Sequence, residues 1–236
     1  TIDLGDATRT ITSNAFDDVI LSGTISSIGQ NDGLIKDGGG RLILSGDNSA
    51  WNGGVTLSRG SLGIGNDNAL GGGDMTVDGD ATIFAFGEAR TVANAIDIVT
   101  STLTIAGDED LALDGAITES ADPASVIINS EATVTLNSNA STYSGGTTIV
   151  AGDVVVGDSE ALGTGDITFS GGTLAAGVAG VSLDEAVIAG DAFTIQGAED
   201  LTLAGVVSGT GDITVDFDAD GTTLTLSGAN DFTGDL

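Results

Sequence analysis

Leu42-Ile43-Leu44-Ser45-Gly46-Asp47-Asn48-Ser49-Ala50-Trp51-Asn52-Gly53-Gly54-Val55-Thr56-Leu57 returns 92 residues later as Val134-Thr135-Leu136-Asn137-Ser138-Asn139-Ala140-Ser141-Thr142-Tyr143-Ser144-Gly145-Gly146-Thr147-Thr148-Ile149. The offset holds without a gap through Ala69-Leu70-Gly71 against Ala161-Leu162-Gly163, then slips to 90, where Glu109-Asp110-Leu111 meets Glu199-Asp200-Leu201. A third copy opens at Leu224-Thr225-Leu226-Ser227-Gly228 and runs to Phe232-Thr233-Gly234. Self-similarity of this kind marks a repeat architecture. The copies fall near residues 33–124, 125–210 and 211–236, and Thr10 to Ile25 reads as the tail of an earlier copy. The expectation is one continuous unit over residues 1–236, cut from a longer array.

Inside each copy the apolar residues alternate: Leu42 and Leu44, Val55 and Leu57, Leu62 and Ile64, Met75 and Val77, then Val154 and Val156. Alternation over three to five residues reads as short half-buried strands. Gly-Gly, Asn-Gly, Asp-Gly and Ser-Gly pairs between them supply the positive φ of tight turns. Pro123 is the one proline and sits in the polar stretch from Glu119 to Ser125, which reads as a loop. No stretch carries a sustained 3.6-residue apolar stripe with caps, so almost no α-helix is expected.

Short strands joined by turns build a sandwich, a propeller or a solenoid. A propeller blade takes about 40–45 residues, less than half of one copy. A sandwich needs no near-identical copies, whereas stacked coils do, because each coil buries its apolar side only against a neighbour of the same shape. The fold class is therefore all-β, a single-stranded β-solenoid. At roughly 20 residues per coil it makes about twelve coils. Leu44 and Leu136 are expected inside one shaft, in continuous apolar columns.

The 236 residues hold 35 Asp plus Glu against 5 Lys plus Arg, with no His and no Cys, for a net charge of −30. Without His or Cys the chain builds no Ser-His-Asp triad, no thiol nucleophile and no zinc finger of its own. All five bases lie in the first 90 residues. A field of this sign repels phosphate backbones, which excludes nucleic acid as a partner. The uncharged stretch from Ile167 to Leu183 is too short and too broken by glycine to span a bilayer, so no membrane insertion by this segment is expected. Thr1-Ile2-Asp3-Leu4 has no basic n-region, and any signal peptide is expected to lie outside the segment.

Lys36-Asp37-Gly38-Gly39-Gly40-Arg41-Leu42-Ile43-Leu44-Ser45-Gly46 through Gly54, followed by Ala69-Leu70-Gly71, resembles the autotransporter-associated β-strand repeat of bacterial passenger domains. Thr142 to Thr148 and Leu224 to Phe232 resemble it too, while the acidity and Gln30-Asn31-Asp32 depart from it. The resemblance implies a right-handed parallel β-helix, exported through a C-terminal β-barrel to the extracellular bacterial cell surface. It further implies a non-enzymatic stalk or spacer of an adhesin, with a host or neighbouring-cell receptor or glycan as partner. Two other classes stay open: a self-assembling surface-layer or filament protein, a homo-oligomer or polymer joined through coil edges, and a carbohydrate-binding or carbohydrate-active β-helix working through paired carboxylates. Near-identical copies without a catalytic interruption argue for no enzyme.

Asp216-Phe217-Asp218-Ala219-Asp220-Gly221 has the D-x-D-x-D-G spacing that opens an EF-hand calcium loop, although the twelfth position is Ser227. Asp216, Asp218 and Asp220 are thus the calcium candidates, with a solvated acidic turn as the alternative. Gly63 to Asp74 resembles a calcium-binding β-roll repeat, but its counterpart Val155 to Asp166 keeps the turn and loses the ligand pattern. Asp108-Glu109-Asp110 and Glu199-Asp200 recur at one place in two copies. Carboxylates stacked on successive coils repel by roughly 0.9 kcal/mol per pair even in water, so scattered placement or bound cations must relieve them. Trp51, Tyr143 and Phe232 share one position, where a ring either offers a sugar platform or closes the Gly-Gly turn; turn closure is expected.

Overall fold

A strand of three residues with one apolar side is too short to stand alone, and the chain answers by laying each one beside its counterpart a turn later. The computed structural model describes residues 1–14, 18–28, 32–99, 101–121 and 123–236. Its strand pairings are all parallel, and no helix occurs among the described residues. One turn shows the plan: Met75–Val77, Ala81–Ala85 and Arg90–Val92 form three successive walls, and Ile96–Ile98 then pairs back onto Met75–Val77. We term these walls faces A, B and C. The structure is a parallel β-solenoid.

Face B is an unbroken ladder of ten strands, from Asp18–Leu21 to Val207–Gly209. The rod therefore has about ten turns, where a uniform coil of 20 residues led to an expectation of twelve. Several turns are longer than that uniform value. Leu42 pairs with Leu62, 20 residues on, but Ile105 pairs with Ile128, 23 on, and Arg9 with Leu34, 25 on. At about 4.8 Å per step the nine spacings of the ladder span roughly 43 Å.

Register converts sequence alternation into columns. Leu42, Leu62, Ile83, Ile105 and Ile128 lie directly over one another, each no more than 1% exposed. Full burial of such a side chain contributes roughly 1.5–3 kcal/mol. The outward column beside it runs Ser61, Thr82, Thr104, Ile127, Thr148, Thr168, Ile188, with no charge. Identical charges at the inter-strand spacing would repel along the whole rod, and this column, which begins with the oppositely charged Asp18 and Arg41, stacks no two like charges. Pro123 lies outside the strands, as its lack of an N–H requires. Asp122 in the same stretch falls outside the described residues, as do Gln30 and Asn31.

Leu44 and Leu136 both point inward, at 0% and 2% exposure, but they do not share a column. Four turns carry Leu42 to Ile128, six residues short of its sequence counterpart Val134, which stands on face C beside Leu111 and Val154. Six residues is one wall, so each copy begins a third of a turn further round. The third copy, at Leu224–Leu226, pairs with Leu201–Leu203 on face A. The expectation of equivalent residues stacked in a single column is corrected accordingly: 92 residues is not a whole number of turns.

Leu44→Ala and Leu136→Ala should each lower the unfolding free energy by about 3 kcal/mol in urea melts. Because the two sites lie on different walls about four turns apart, the double variant should lose their sum to within about 0.5 kcal/mol.

Candidate functional site

The repeat's signature residues are where a function would have to lie, and their geometry starts with the aromatic ring. The segments holding Trp51 and Tyr143 interrupt the strand ladder, Trp51 on face C and Tyr143 on face A. Both rings are fully buried at 0% exposure. Trp51 donates its indole N–H to the Asp32 carbonyl at 3.0 Å, while the Tyr143 hydroxyl meets Thr147 Oγ1 at 2.6 Å. Burial holds the Tyr143 phenol far above its usual range. Each ring lies against the glycine of the Ala-Leu-Gly in the next turn. A Cβ on Gly71 would stand 2.7 Å from the Trp51 ring, and one on Gly163 would stand 2.9 Å from Tyr143. Both glycines also have positive φ, +74 and +77. The recurring aromatic and the recurring Ala-Leu-Gly are thus two halves of one inter-turn contact. Phe232 is half-buried and packs against the core.

Where the ring segment replaces a strand, backbone donors of the preceding turn lose their partner, and a side chain supplies it. Asn48 accepts the Ile25 N–H at 2.7 Å and donates to the Ala69 carbonyl at 2.7 Å, joining three turns. Asn230 accepts the Val207 N–H at 2.8 Å in the third copy, and Ser141 Oγ accepts that of Ile117 in the second.

The carboxylates perform the same task at the corners. Asp80 accepts the N–H of Thr102 at 2.9 Å, Asp110 that of Thr133 at 2.9 Å, Asp200 that of Thr223 at 2.7 Å, Asp212 that of Asp235 at 2.8 Å and Asp67 that of Thr91 at 3.1 Å. The first four immediately precede a strand and reach the matching position one turn on, adding a side-chain rung to the ladder. This is why Asp110 and Asp200 recur. The signal was present in the sequence as an Asp directly before an apolar alternation. Only two ion pairs occur among the described residues, Arg41 with Asp18 and Arg90 with Glu88. More of the acids accept a backbone hydrogen bond than pair with a base.

Asp216 lies at the outward register position opposite Gln196, and Asp218 and Asp220 follow in the exposed turn beyond that strand. No three carboxylates stand close enough to hold a metal among the described residues. Two surface recesses, about 510 and 460 Å³, are counterparts in the repeat, with Asp37 and Arg59 in one replaced by Asn129 and Ala151 in the other. Their linings do not repeat. Glu119 accepts the N–H of Ala124 and both donors of Ser144, which hold its carboxyl below the usual range. Glu185 behaves oppositely: burial pushes its carboxyl up, the charges of Asp184 and Glu160 add to this, and Oε2 has no hydrogen-bond partner.

Residues 34–64, 131–156 and 219–236 match the family model of the passenger-associated-transport-repeat. One matched segment falls within each of the three copies, and these segments are similar to the repeats of autotransporter passenger domains. Neither a curated protein nor a solved structure matches the chain.

Gly71→Ala should cost about 3 kcal/mol in a urea melt, and Gly87→Ala, at φ +82 with open space around it, only about 1 kcal/mol, the difference being the ring contact. Asp110→Ala should lose roughly 1–2 kcal/mol, with Asp110→Asn keeping most of it because the amide oxygen still accepts. With its pKa raised in the folded state, Glu185 takes up a proton on folding between its ordinary and its raised value, so its charge costs stability at neutral pH and the cost is relieved on acidification. Glu119 works in reverse, its contribution being lost below the ordinary carboxylate range. Mild acidification should therefore raise the wild-type melting temperature relative to Glu185→Gln, which should itself melt higher than wild type at neutral pH.

Proposed function

With autotransporter-passenger repeats wound into a parallel β-solenoid as the premise, we propose that the chain is a rigid, non-enzymatic spacer in a passenger carried outside the bacterial cell. The observation that carries this reading is that the repeat's signature side chains are consumed by contacts between turns. Trp51 and Tyr143 are fully buried and stand on different walls, so they offer no shared platform to a sugar chain. The recurring Asp110 and Asp200 already accept backbone N–H groups. Each turn adds about 4.8 Å of length together with its own slice of core, and such a stack has little freedom to bend. The charge of −30 keeps neighbouring copies apart, in keeping with a spacer that remains single.

Deleting residues 83–127, which brings Ile128 into the register of Ile83, removes two whole turns along face B and keeps Ala69 and Gly71 in place against Asn48 and Trp51. The shortened chain should stay folded, scatter as a rod about 10 Å shorter, and keep its surface display when placed in the full passenger. Sedimentation over a wide concentration range should show a monomer, and incubation with polysaccharides should release no reducing sugar. Concentration-dependent growth would favour a filament-forming protein, and released sugar would favour a carbohydrate-active one.

A further inference from the structure

Lys36 is the one lysine of the chain, and it occupies an inward position on face A whose neighbours in the column are Ile11 and Leu57. It is 0% exposed. In the second copy the same position is Ile128. A cation in that column demands a local reason, and the corner above it supplies one. Nζ donates to the carbonyls of Asp37 at 3.0 Å, Gly38 at 2.7 Å and Arg59 at 2.9 Å. Two of these belong to its own turn and one to the next, so the head group ties adjacent turns together. Three acceptors at hydrogen-bond distance match the three donors of an ammonium, one more than a neutral amine has. No carboxylate lies within ion-pair distance of the group among the described residues. Gly60 completes the enclosure, since a Cβ there would stand 2.9 Å from Nζ. Burial pulls the amine's pKa down, and the Asp37 charge opposes that pull.

We propose that the corner formed by the Asp37, Gly38 and Arg59 carbonyls with Gly60 is a binding site for a primary ammonium ion, which the side chain of Lys36 fills as a tethered ligand. Emptied of that side chain, the site accepts a free alkylammonium from solution. Lys36→Ala removes everything beyond Cβ, and n-propylammonium has the shape of what is lost. Ligands that bind only the folded state raise its stability with concentration.

Thermal melts of wild type and Lys36→Ala in n-propylammonium, tetramethylammonium or sodium chloride at matched ionic strength test this. Lys36→Ala should melt roughly 10 °C below wild type. n-Propylammonium should recover part of that loss in a saturating manner, leaving wild type unmoved, while tetramethylammonium, which has no N–H to donate, should not. Equal responses to the two organic cations, or an equal response of wild type, would overturn the proposal. If Lys36→Ala does not fold, Lys36→Met decides the matter, because it keeps the apolar stem and deletes the donors. It should melt below wild type, and a melt at or above the wild-type temperature would show that the carbonyls do not require a cation.

Discussion

Parallel pairing at a fixed spacing binds every residue to the one a turn ahead of it and the one a turn behind. Whatever is placed at one position is repeated or answered about 4.8 Å away. Leu42, Leu62, Ile83 and Ile105 show the favourable form of that coupling, an apolar column closed to water. Gly71 beneath the Trp51 ring shows the restrictive form, since a large side chain in one turn requires a missing one in the next.

The same coupling explains how a chain with seven times more acids than bases stays folded. On the walls, carboxylates would stack and repel, and the central column of face B carries none from Ser61 to Ile188. At the corners a carboxylate reaches the N–H group of the following turn, where the ladder would otherwise stop short. Asp80, Asp110, Asp200 and Asp212 thus exchange like-charge repulsion for a charge-assisted hydrogen bond. Lys36 meets the complementary need, donating to carbonyls left at a corner of the first copy.

Because a copy is four turns and one wall long, the ring-bearing interruptions move round the rod. The first breaks face C, the second face A, and face B runs through both unbroken. A rod interrupted always on one wall would be weaker there. Distributing the breaks leaves a continuous ladder beside each of them.

Much of this was legible in the sequence. The period-two apolar pattern, the glycine turns and the internal copies specified strands, stacking and an apolar shaft, because burial and turn chemistry act over a few neighbouring residues. The aromatic position was legible as a ring with a structural place, but its recurring partner, Gly71 or Gly163 in the next turn, was not. The roles of Asp110, Asn48 and Lys36 were not, since each acts on a residue 20 or more positions away through a register that no local pattern records. The calcium-like spacing of Asp216, Asp218 and Asp220 falls on the end of a strand and the exposed turn beyond it, a placement set by the pairing of that strand with Phe193–Gly197. The period-two alternation and the internal copies by themselves determined that the chain winds into a β-solenoid. Only the tertiary structure decided how many turns it makes and which walls its repeats occupy, because turn length is set by how each corner packs on the one before it.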